Sequence, residues 1–235
     1  MQRYFVNNNQ IEKPYISIID TDFHHIKNVM RMRQHQEVIV CDQDGKSYLC
    51  SVETFDTARV MLRIKEELAQ DNEFPVSVTI AHGVVRKDKA EETIRRLAEL
   101  GASKYIGVQM ERSIIKVKQI EDKYLVRLDK IIKEACEQAH RNRLLRFLGW
   151  TDLSGLLKMR DDYDVCLFAY EQNKDSMQLK SILRDFTQKR VLVLIGPEGG
   201  ISSKEAQLLI TAGFIPIGLG NRILRTETAP LFVMS

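Results

Sequence analysis

The chain has 235 residues, of which 44% are hydrophobic and 29% charged, and its formal net charge is only +3. This length allows one large domain or two modest ones, and the composition is that of an ordinary soluble protein. No apolar run reaches the roughly 18–20 residues of a membrane span and the opening residues lack a signal peptide's apolar core, so we expect a cytoplasmic protein without a membrane partner.

The first part of the chain, to about residue 68, is typical of β structure. The sequence predicts three strands there, at residues 37–42, 47–55 and 59–68. Asp44-Gly45 between the first two strands is a hairpin signal. A short helix is expected near residues 22–32, with Asp22 or Thr21 as its N-cap. These elements suffice for a small barrel or sheet.

The polar stretch "AQDNEF" before Pro75 interrupts this pattern, so we place the first domain at residues 1–70 and the second at 75–235. Strands and helices alternate in the second domain. Strands are predicted at residues 76–84, 105–110, 163–171, 190–196 and 214–220. Helices are predicted at residues 89–102, 121–143, 177–186 and 204–213. Repeated βαβ units require a parallel sheet, so the predicted fold class is α/β.

Side chains that bind metals form no metal-site pattern in this sequence. The cysteines at 41, 50, 136 and 166 form no C-x-x-C pair, and the five histidines complete neither a zinc site nor a catalytic triad. We expect reduced, mostly buried thiols and no metal. The segment from Lys116 to Arg146 contains nine basic residues and five acidic ones. That surplus is either a phosphate-facing stripe or a solvated helix face.

The segment "LIGPEGGISSKE" (194–205) places glycines directly after a very apolar strand. Ser202 and Glu205 have the spacing of a capping box, and Gly213 follows the next helix as its C-terminal cap. The glycine spacing fits neither a P-loop nor a dinucleotide-binding fingerprint. Ligands nevertheless collect at the carboxyl ends of strands in open α/β sheets. A second glycine-rich loop follows the strand that ends near Leu219.

These two loops predict an apolar slot for a flat ligand such as an adenine ring, which the main chain would bind. The apolar walls would come from Leu194, Ile195, Leu219, Ile223 and Leu224. Two tight turns in a compact fold, with no ligand, are an equally good interpretation of loop composition alone.

The sequence resembles the RsmE family, which are ribosomal RNA methyltransferases of the knotted SPOUT class. "LIGPEGGISSKE" and "LGNRILRTETA" carry the resemblance most specifically. Weaker matches extend over nearly the whole chain: "RYFV", "HHIKNVMRMR", "LAELGASKYIGV", "ERS" and "EACEQAHR". The chain departs from the family at Ala139-His140, in its loose match at "AHGVVRKDKAEE", and by ending at Ser235, where the family continues in a final helix.

The resemblance implies a small PUA-like β-barrel domain that helps to bind RNA, followed by an α/β domain with a deep trefoil knot. It also implies an obligate homodimer that binds S-adenosylmethionine in the knot. The implied reaction is methylation of N3 of a uridine in 16S ribosomal RNA, which makes that RNA or the small ribosomal subunit the partner.

The resemblance assigns site residues only where the motifs match. The first loop supplies Leu194, Ile195, Gly196, Pro197, Glu198, Gly199 and Gly200 to the cofactor site. The second supplies Leu219, Gly220, Ile223, Leu224, Arg225, Thr226, Glu227, Thr228 and Ala229. Gln138 and Arg141 match an element near the presumed substrate side. Arg3, Arg31 and Arg33 are candidates for contacts with RNA phosphates, and ordinary surface charge is an equal alternative for each.

Uridine N3 carries a proton, so the reaction needs a group that stabilises the imide anion and a group that accepts the proton. Arg225 is the first candidate for the cation and Arg141 the second. Glu198 and Glu227 are candidates for the acceptor. Structural roles are the alternatives: an Arg225–Glu227 pair, a Glu198 bonded within its own turn, and an Arg141 on an ordinary helix surface.

Two other functions remain compatible with the sequence. One is a non-catalytic RNA-binding or ribosome-assembly factor on the same fold. The complete cofactor loops argue against that hypothesis. The other is a SPOUT enzyme that acts on transfer RNA or on another base atom. The predicted barrel with "RYFV" and "EQAHR" argues against it, by resemblance only.

Overall fold

The computed structural model describes residues 1–117, 122–170, 182, 187 and 189–235. The chain forms two compact units. The first comprises Met1–Glu73 with Cys136–Leu144, and the second comprises Phe74–Ala135 with Leu145–Ser235. The boundary predicted from the sequence lies between residues 70 and 75, and residues 136–144 were not predicted to belong with the N-terminal segment.

The first unit is built on a six-stranded sheet in the order β1-β4-β5-β6-β3-β2. Its strands are β1 (Arg3–Phe5), β2 (Ile11–Glu12), β3 (Tyr15–Ile19), β4 (Glu37–Cys41), β5 (Ser47–Phe55) and β6 (Arg59–Leu68). The predicted hairpin is confirmed, because β4 and β5 pair antiparallel and Gly45 between them has φ +85°. Strands β1 to β3 were not predicted. The core of this unit consists of buried aliphatic residues with Tyr4 and Tyr48.

The predicted helix of the first unit exists, but its start was predicted wrongly. Helix α1 (Asp20–His24) begins after Ile19, which makes no side-chain cap, and continues as a π-helical turn at His25–Val29. Asp20 itself adopts φ +55°. An aspartate tolerates this left-handed conformation better than most residues, which allows the chain to turn sharply from β3 into the helix.

The second unit contains a six-stranded sheet in the order β12-β10-β11-β7-β8-β9, and every pair in it is parallel. The strands are β7 (Ser77–Gly83), β8 (Lys104–Gln109), β9 (Arg146–Asp152), β10 (Val165–Ala169), β11 (Arg190–Ile195) and β12 (Ile215–Ile217). The prediction of a parallel α/β sheet is confirmed. Strand β9 was not predicted.

The described helices of the second unit are α2 (Lys87–Glu99), α3 (Asp122–Gln138, whose last residues belong to the first unit), α4 (Leu153–Lys158), α5 (Ser203–Thr211) and α6 (Ala229–Met234). The helix predicted at residues 177–186 lies almost entirely outside the described residues. Leu192, Leu194 and Phe168 are fully buried in the core of this sheet. All four cysteines are free and buried, as predicted.

The helix ends follow from hydrogen bonds that the sequence shows only in part. Gly101 and Gly213 have positive φ, and the two amides at each end bond back into α2 and α5 as a Schellman motif, so both predicted stops are confirmed. Helix α3 was predicted to run to residue 143 but ends at Gln138. His140 takes the left-handed position there, and the amide of Arg141 bonds to the carbonyl of Cys136 at 3.0 Å. The end of α3 was not predicted because a histidine stands where a glycine usually ends a helix.

Candidate functional site

A cavity lies where β10, β11 and β12 end, at the carboxyl edge of the parallel sheet. We call it the strand-end cavity. It is lined by the last residue of each of these strands and by residues that follow them: Ala169, Tyr170, Ile195, Gly196, Gly200, Ile201, Ile217, Leu219, Gly220, Asn221, Arg222, Ile223, Leu224, Thr226 and Ala229. Both glycine-rich loops therefore contribute to one cavity, as the sequence indicated.

Nine of the sixteen residues assigned to the cofactor site line this cavity: Ile195, Gly196, Gly200, Leu219, Gly220, Ile223, Leu224, Thr226 and Ala229. The other seven are not among its lining residues: Leu194, Pro197, Glu198, Gly199, Arg225, Glu227 and Thr228. Leu194 points into the core of the sheet and is fully buried. Ala169 and Tyr170 were missed, although the predicted strand at 163–171 could have indicated them, because it ends at the same edge.

A chain of hydrogen bonds joins the two loops to the neighbouring strands. The hydroxyl of Thr226 lies 2.6 Å from the carbonyl oxygen of Gly196, so it must donate to that oxygen. Nε2 of His82 lies 2.8 Å from the same hydroxyl and therefore donates to it. Nδ1 then accepts a hydrogen bond from the hydroxyl of Tyr105, at 2.8 Å. These contacts fix His82 as the neutral imidazole with its proton on Nε2.

His82 is completely buried, and its burial lowers its pKa to about 4. The ring is therefore uncharged at neutral pH, when it can accept on one nitrogen and donate on the other. His82 stands opposite Ile195 in the pairing of β7 with β11. The sequence analysis assigned no role to any histidine, because a histidine within an apolar strand gives no signal of the loop that packs above it.

The loop after β11 also approaches β7 closely at Gly83. A Cβ atom at Gly83 would lie 2.3 Å from the backbone nitrogen of Pro197. Only glycine leaves room for the loop at this point. On its other side the loop is held by Arg112, whose guanidinium donates to the carbonyl oxygen of Gly199 at 3.2 Å.

The helix that follows this loop starts with the predicted capping box. The hydroxyl of Ser202 accepts from the amide of Glu205 at 3.3 Å, and the carboxylate of Glu205 accepts from the amide of Ser202 at 2.9 Å. The same carboxylate also accepts from the amide of Glu111, at 2.8 Å. Glu205 thus fixes the start of α5 relative to the segment after β8.

Lys89 of α2 connects the two loops by charge. Its Nζ lies 3.3 Å from Oε1 of Glu198 and 3.5 Å from Oε2 of Glu227. The pKa of Glu227 is lowered by a hydrogen bond from its own amide and by the charge of Lys89, despite partial desolvation. The structural alternatives paired Glu227 with Arg225 and bonded Glu198 within its own turn. In the structure both carboxylates instead form ion pairs with Lys89. Arg225 is exposed beside Thr226, close enough to Glu227 to lower its pKa as well.

In the first unit, the structure corrects the placement of two arginines. Arg3 is 5% exposed, and its Nη1 donates to the carbonyl oxygen of Arg141 at 2.8 Å and to Oδ1 of Asn142 at 3.0 Å. Arg141 is 3% exposed, and its Nη2 lies 2.6 Å from Oε2 of Glu73. Guanidinium groups held inside the fold are not placed to contact RNA or a uracil, so both arginines support the local structure.

The buried Arg141–Glu73 pair anchors residues 136–144 to the rest of the first unit. Burial alone would raise the pKa of Glu73, but its hydrogen bonds with Arg141 lower that pKa below the usual value for a glutamate. The other three residues assigned to RNA contacts, Arg31, Arg33 and Gln138, are exposed.

Residues 1–117, 122–170 and 189–235 contain no group of three or more histidine, cysteine, aspartate or glutamate side chains placed to hold a metal ion. None of the helices described above has the length and apolar character that crossing a membrane requires.

Comparison with known proteins gave consistent matches. A family model described as an RNA methyltransferase domain matches residues 72–235, and one described as an RNA methyltransferase PUA domain matches residues 18–60. The ribosomal RNA small subunit methyltransferase E of Bacillus subtilis (strain 168) is 36% identical over 243 residues, which cover 100% of this chain and 95% of the relative.

Two solved structures share both the sequence similarity and the fold. The ribosomal RNA small subunit methyltransferase E of Neisseria gonorrhoeae, bound to S-adenosyl methionine, is 29% identical with a TM-score of 0.85, over 100% of this chain and 95% of that one. A methyltransferase of Legionella pneumophila in complex with the same cofactor is 26% identical with a TM-score of 0.84, over 99% and 94% of the two chains.

The neutral, buried His82 predicts a specific dependence of stability on pH. Its pKa is lower in the folded state (about 4) than in the unfolded chain (about 6.5). As the pH is lowered, the unfolded chain therefore binds a proton before the folded chain does. The free energy of unfolding is highest above pH 6.5 and falls as the pH drops towards 4. Between pH 7 and pH 5, the free energy of unfolding of His82→Gln should fall by on the order of 2 kcal/mol less than that of the parent. Urea denaturation at both pH values measures this difference, and equal losses would contradict it.

Proposed function

The chain belongs to the ribosomal RNA small subunit methyltransferase E family of RNA methyltransferases, and from that premise we propose that it transfers a methyl group from S-adenosylmethionine to N3 of a uridine in 16S ribosomal RNA. The observation that carries the proposal is that both glycine-rich loops line one strand-end cavity. The small-subunit RNA as the substrate is supported by relatives that are ribosomal RNA small subunit methyltransferases. We also propose that the activity is cytoplasmic, as a ribosomal RNA substrate implies.

The strand-end cavity has the chemical character that the cofactor needs. Ile195, Ile217, Leu219 and Leu224 supply apolar walls, and Gly196 with its neighbours brings main-chain groups to the cavity surface. A flat, apolar adenine ring with polar edges fits such a slot. The first loop is closely packed, because a Cβ atom on Gly196 would lie 2.9 Å from Cγ1 of Ile201. When bound, S-adenosylmethionine supplies a methyl group already activated by its sulfonium.

The architecture of the family supports two further parts of the proposal. The second unit, with its parallel sheet and joined loops, is proposed to form the SPOUT trefoil knot. The first unit, which contains the PUA match, is proposed to bind RNA through exposed basic residues such as Arg31 and Arg33. We propose a domain division near residues 70–75 on the same grounds, with residues 136–144 added to the first unit.

Arg225 is the proposed stabiliser of the imide anion. It is exposed, and its two neighbours Leu224 and Thr226 line the strand-end cavity, so its guanidinium can reach a substrate held against that cavity. A cation near the uracil carbonyls favours the anion that must form before methyl transfer. The buried Arg141 no longer competes for this role, because its guanidinium is bound to Glu73.

Glu198 is the proposed acceptor of the N3 proton, with Glu227 as the second candidate. Both carboxylates lie beside Lys89, which links the two loops at 3.3 and 3.5 Å. Only an ionised carboxylate can take a proton, and the ion pairs with Lys89 hold both carboxylates beside the two loops. Lys89 therefore acts as a positioning residue for the proposed acceptor.

Methyl transfer tests the proposed function directly. Undermodified small ribosomal subunits and transfer RNA are incubated separately with the protein and S-adenosylmethionine labelled in its methyl group, and the labelled nucleoside is then mapped. We expect label in 3-methyluridine of 16S ribosomal RNA. Absence of transfer would favour the non-catalytic RNA-binding factor, and label in transfer RNA would favour a different SPOUT activity.

Arg225→Ala separates catalysis from cofactor binding. Because Arg225 does not line the strand-end cavity, we expect calorimetry to show S-adenosylmethionine binding within about threefold of the parent. We expect transfer to fall by roughly a hundredfold or more, the scale of losing one group that stabilises a developing negative charge. Arg225→Lys is the control, because it keeps the charge and should recover part of the rate. Loss of cofactor binding would instead make Arg225 a structural or cofactor-binding residue.

We also propose that the enzyme is a homodimer, as the family resemblance implies. Large apolar side chains are exposed on α5 and α6 of the second unit: Leu208 at 54%, Ile210 at 46% and Phe232 at 48%. Burial of such side chains against a second copy would stabilise a dimer. Sedimentation equilibrium at micromolar concentration should give twice the mass of one chain, which is 27.2 kDa, and a monomer mass would contradict the proposal.

A further inference from the structure

The second unit contains another cavity that shares no lining residue with the strand-end cavity. It lies among β8, β9, α2, α3 and the segment after β8, and we call it the aromatic cavity. Its lining residues are Val84, Val85, Lys87, Ala90, Ile94, Tyr105, Gly107, Ile115, Lys116, Val117, Tyr124, Phe147 and Trp150. Four of them are aromatic, although aromatic residues make up only 7% of the chain.

The aromatic rings are held in fixed positions by one another. Phe147 and Trp150 pack edge to face, with ring centroids 4.4 Å apart. The ring of Tyr124 lies 6.0 Å from that of Trp150, with the two ring planes inclined by 35°. The indole also occupies the space that a side chain on Gly107 would fill, since a Cβ there would lie 2.4 Å from its Cδ1 atom. The cavity thus presents preformed ring surfaces to a ligand.

The charged residues among the lining are both lysines. Nζ of Lys87 lies 5.0 Å from the centre of the Tyr124 ring, and Lys116 is an exposed residue of the lining. The segment that carries Lys116 is held in place by Gln109, whose side chain bonds to the backbone of Ile115 and Val117 at 3.3 and 3.0 Å. Flat apolar surfaces below and positive charge at the rim suit a ligand that is aromatic and anionic.

Hydrogen bonds connect the aromatic cavity to the strand-end cavity. Tyr105 lines the aromatic cavity, and its hydroxyl donates to His82. His82 in turn donates to Thr226, which lines the strand-end cavity. Two buried side chains, Tyr105 and His82, would therefore separate a ligand in the aromatic cavity from the loop that carries Thr226.

We propose that the aromatic cavity binds one unpaired nucleotide of the RNA substrate, distinct from the uridine that is methylated. Its base stacks on the ring of Trp150, and its phosphate lies near Lys87 and Lys116. Stacking on aromatic rings accepts any base, so the site serves to hold the RNA strand rather than to read its sequence. This inference rests on the proposed function only in taking RNA as the ligand.

Trp150 is the only tryptophan in the chain, so its fluorescence reports on this cavity alone. The probe is single-stranded hexauridylate, and the matched control is a hexamer of the same sugar-phosphate backbone without bases. We expect hexauridylate to quench the fluorescence with saturation, because a base stacks on the indole, and the abasic hexamer to leave it nearly unchanged. Equal quenching by both hexamers, or no quenching by either, would overturn the proposal.

The rim lysines are tested by the double variant Lys87→Gln/Lys116→Gln. Removal of two phosphate contacts should weaken hexauridylate binding roughly tenfold at low salt and reduce the slope of log Kd against log salt by about 1.4. Lys158→Gln/Lys204→Gln is the charge-matched control, since both of its lysines are exposed on the same unit and lie outside the aromatic cavity. Equal weakening by both double variants would mean non-specific attraction and would overturn the proposal.

Two further measurements separate this inference from the proposed function. Calorimetry with S-adenosylmethionine and the methyl-transfer assay are performed on the same preparations. Normal cofactor binding and transfer without quenching by hexauridylate would overturn the nucleotide site and leave the methyltransferase intact. Base-dependent, lysine-dependent quenching without transfer would support the nucleotide site although the proposed function fails.

Discussion

A neutral histidine inside the parallel sheet is the constraint on which the candidate site depends. His82 must accept from Tyr105 and donate to Thr226 at the same time, and only an uncharged imidazole can do both. The Thr226 hydroxyl then holds the carbonyl of Gly196, so one buried ring fixes the distance between two loops that lie thirty residues apart in the chain. The strand-end cavity exists because these loops are joined, and Lys89 adds a second connection at its surface.

The sequence predicted the elements of the second unit well, because their signals are local. Apolar runs marked β10 and β11, and glycines at 101 and 213 marked the ends of α2 and α5. The early end of α3 was missed because His140 replaces the expected glycine. Strands β1, β3 and β9 were missed because each depends on partners that are distant in sequence.

For the candidate site, the sequence predicted which loops meet but not what holds them. Backbone positions such as Gly196 and Gly220 follow from motif and loop chemistry, and both line the cavity. The role of a charged residue is harder to predict from the sequence, because its charge does not show whether it is exposed or buried. Arg3 was expected to contact RNA phosphates and Arg141 to lie beside the substrate uracil, yet the structure uses them as buried donors to Asn142 and Glu73. Lys89 was not singled out at all, since its partners are more than a hundred residues away.

The absence of a side chain at Gly83 has a consequence for how this site can change. The course of the first glycine-rich loop is limited by a residue on a different strand, because Pro197 occupies the volume of the missing Cβ. Substitutions in this loop are therefore limited to those that keep a backbone course compatible with the close approach of Gly83 in β7. Redesign of the cavity for an altered cofactor would have to begin at the edge of β7, with the loop sequence adjusted afterwards.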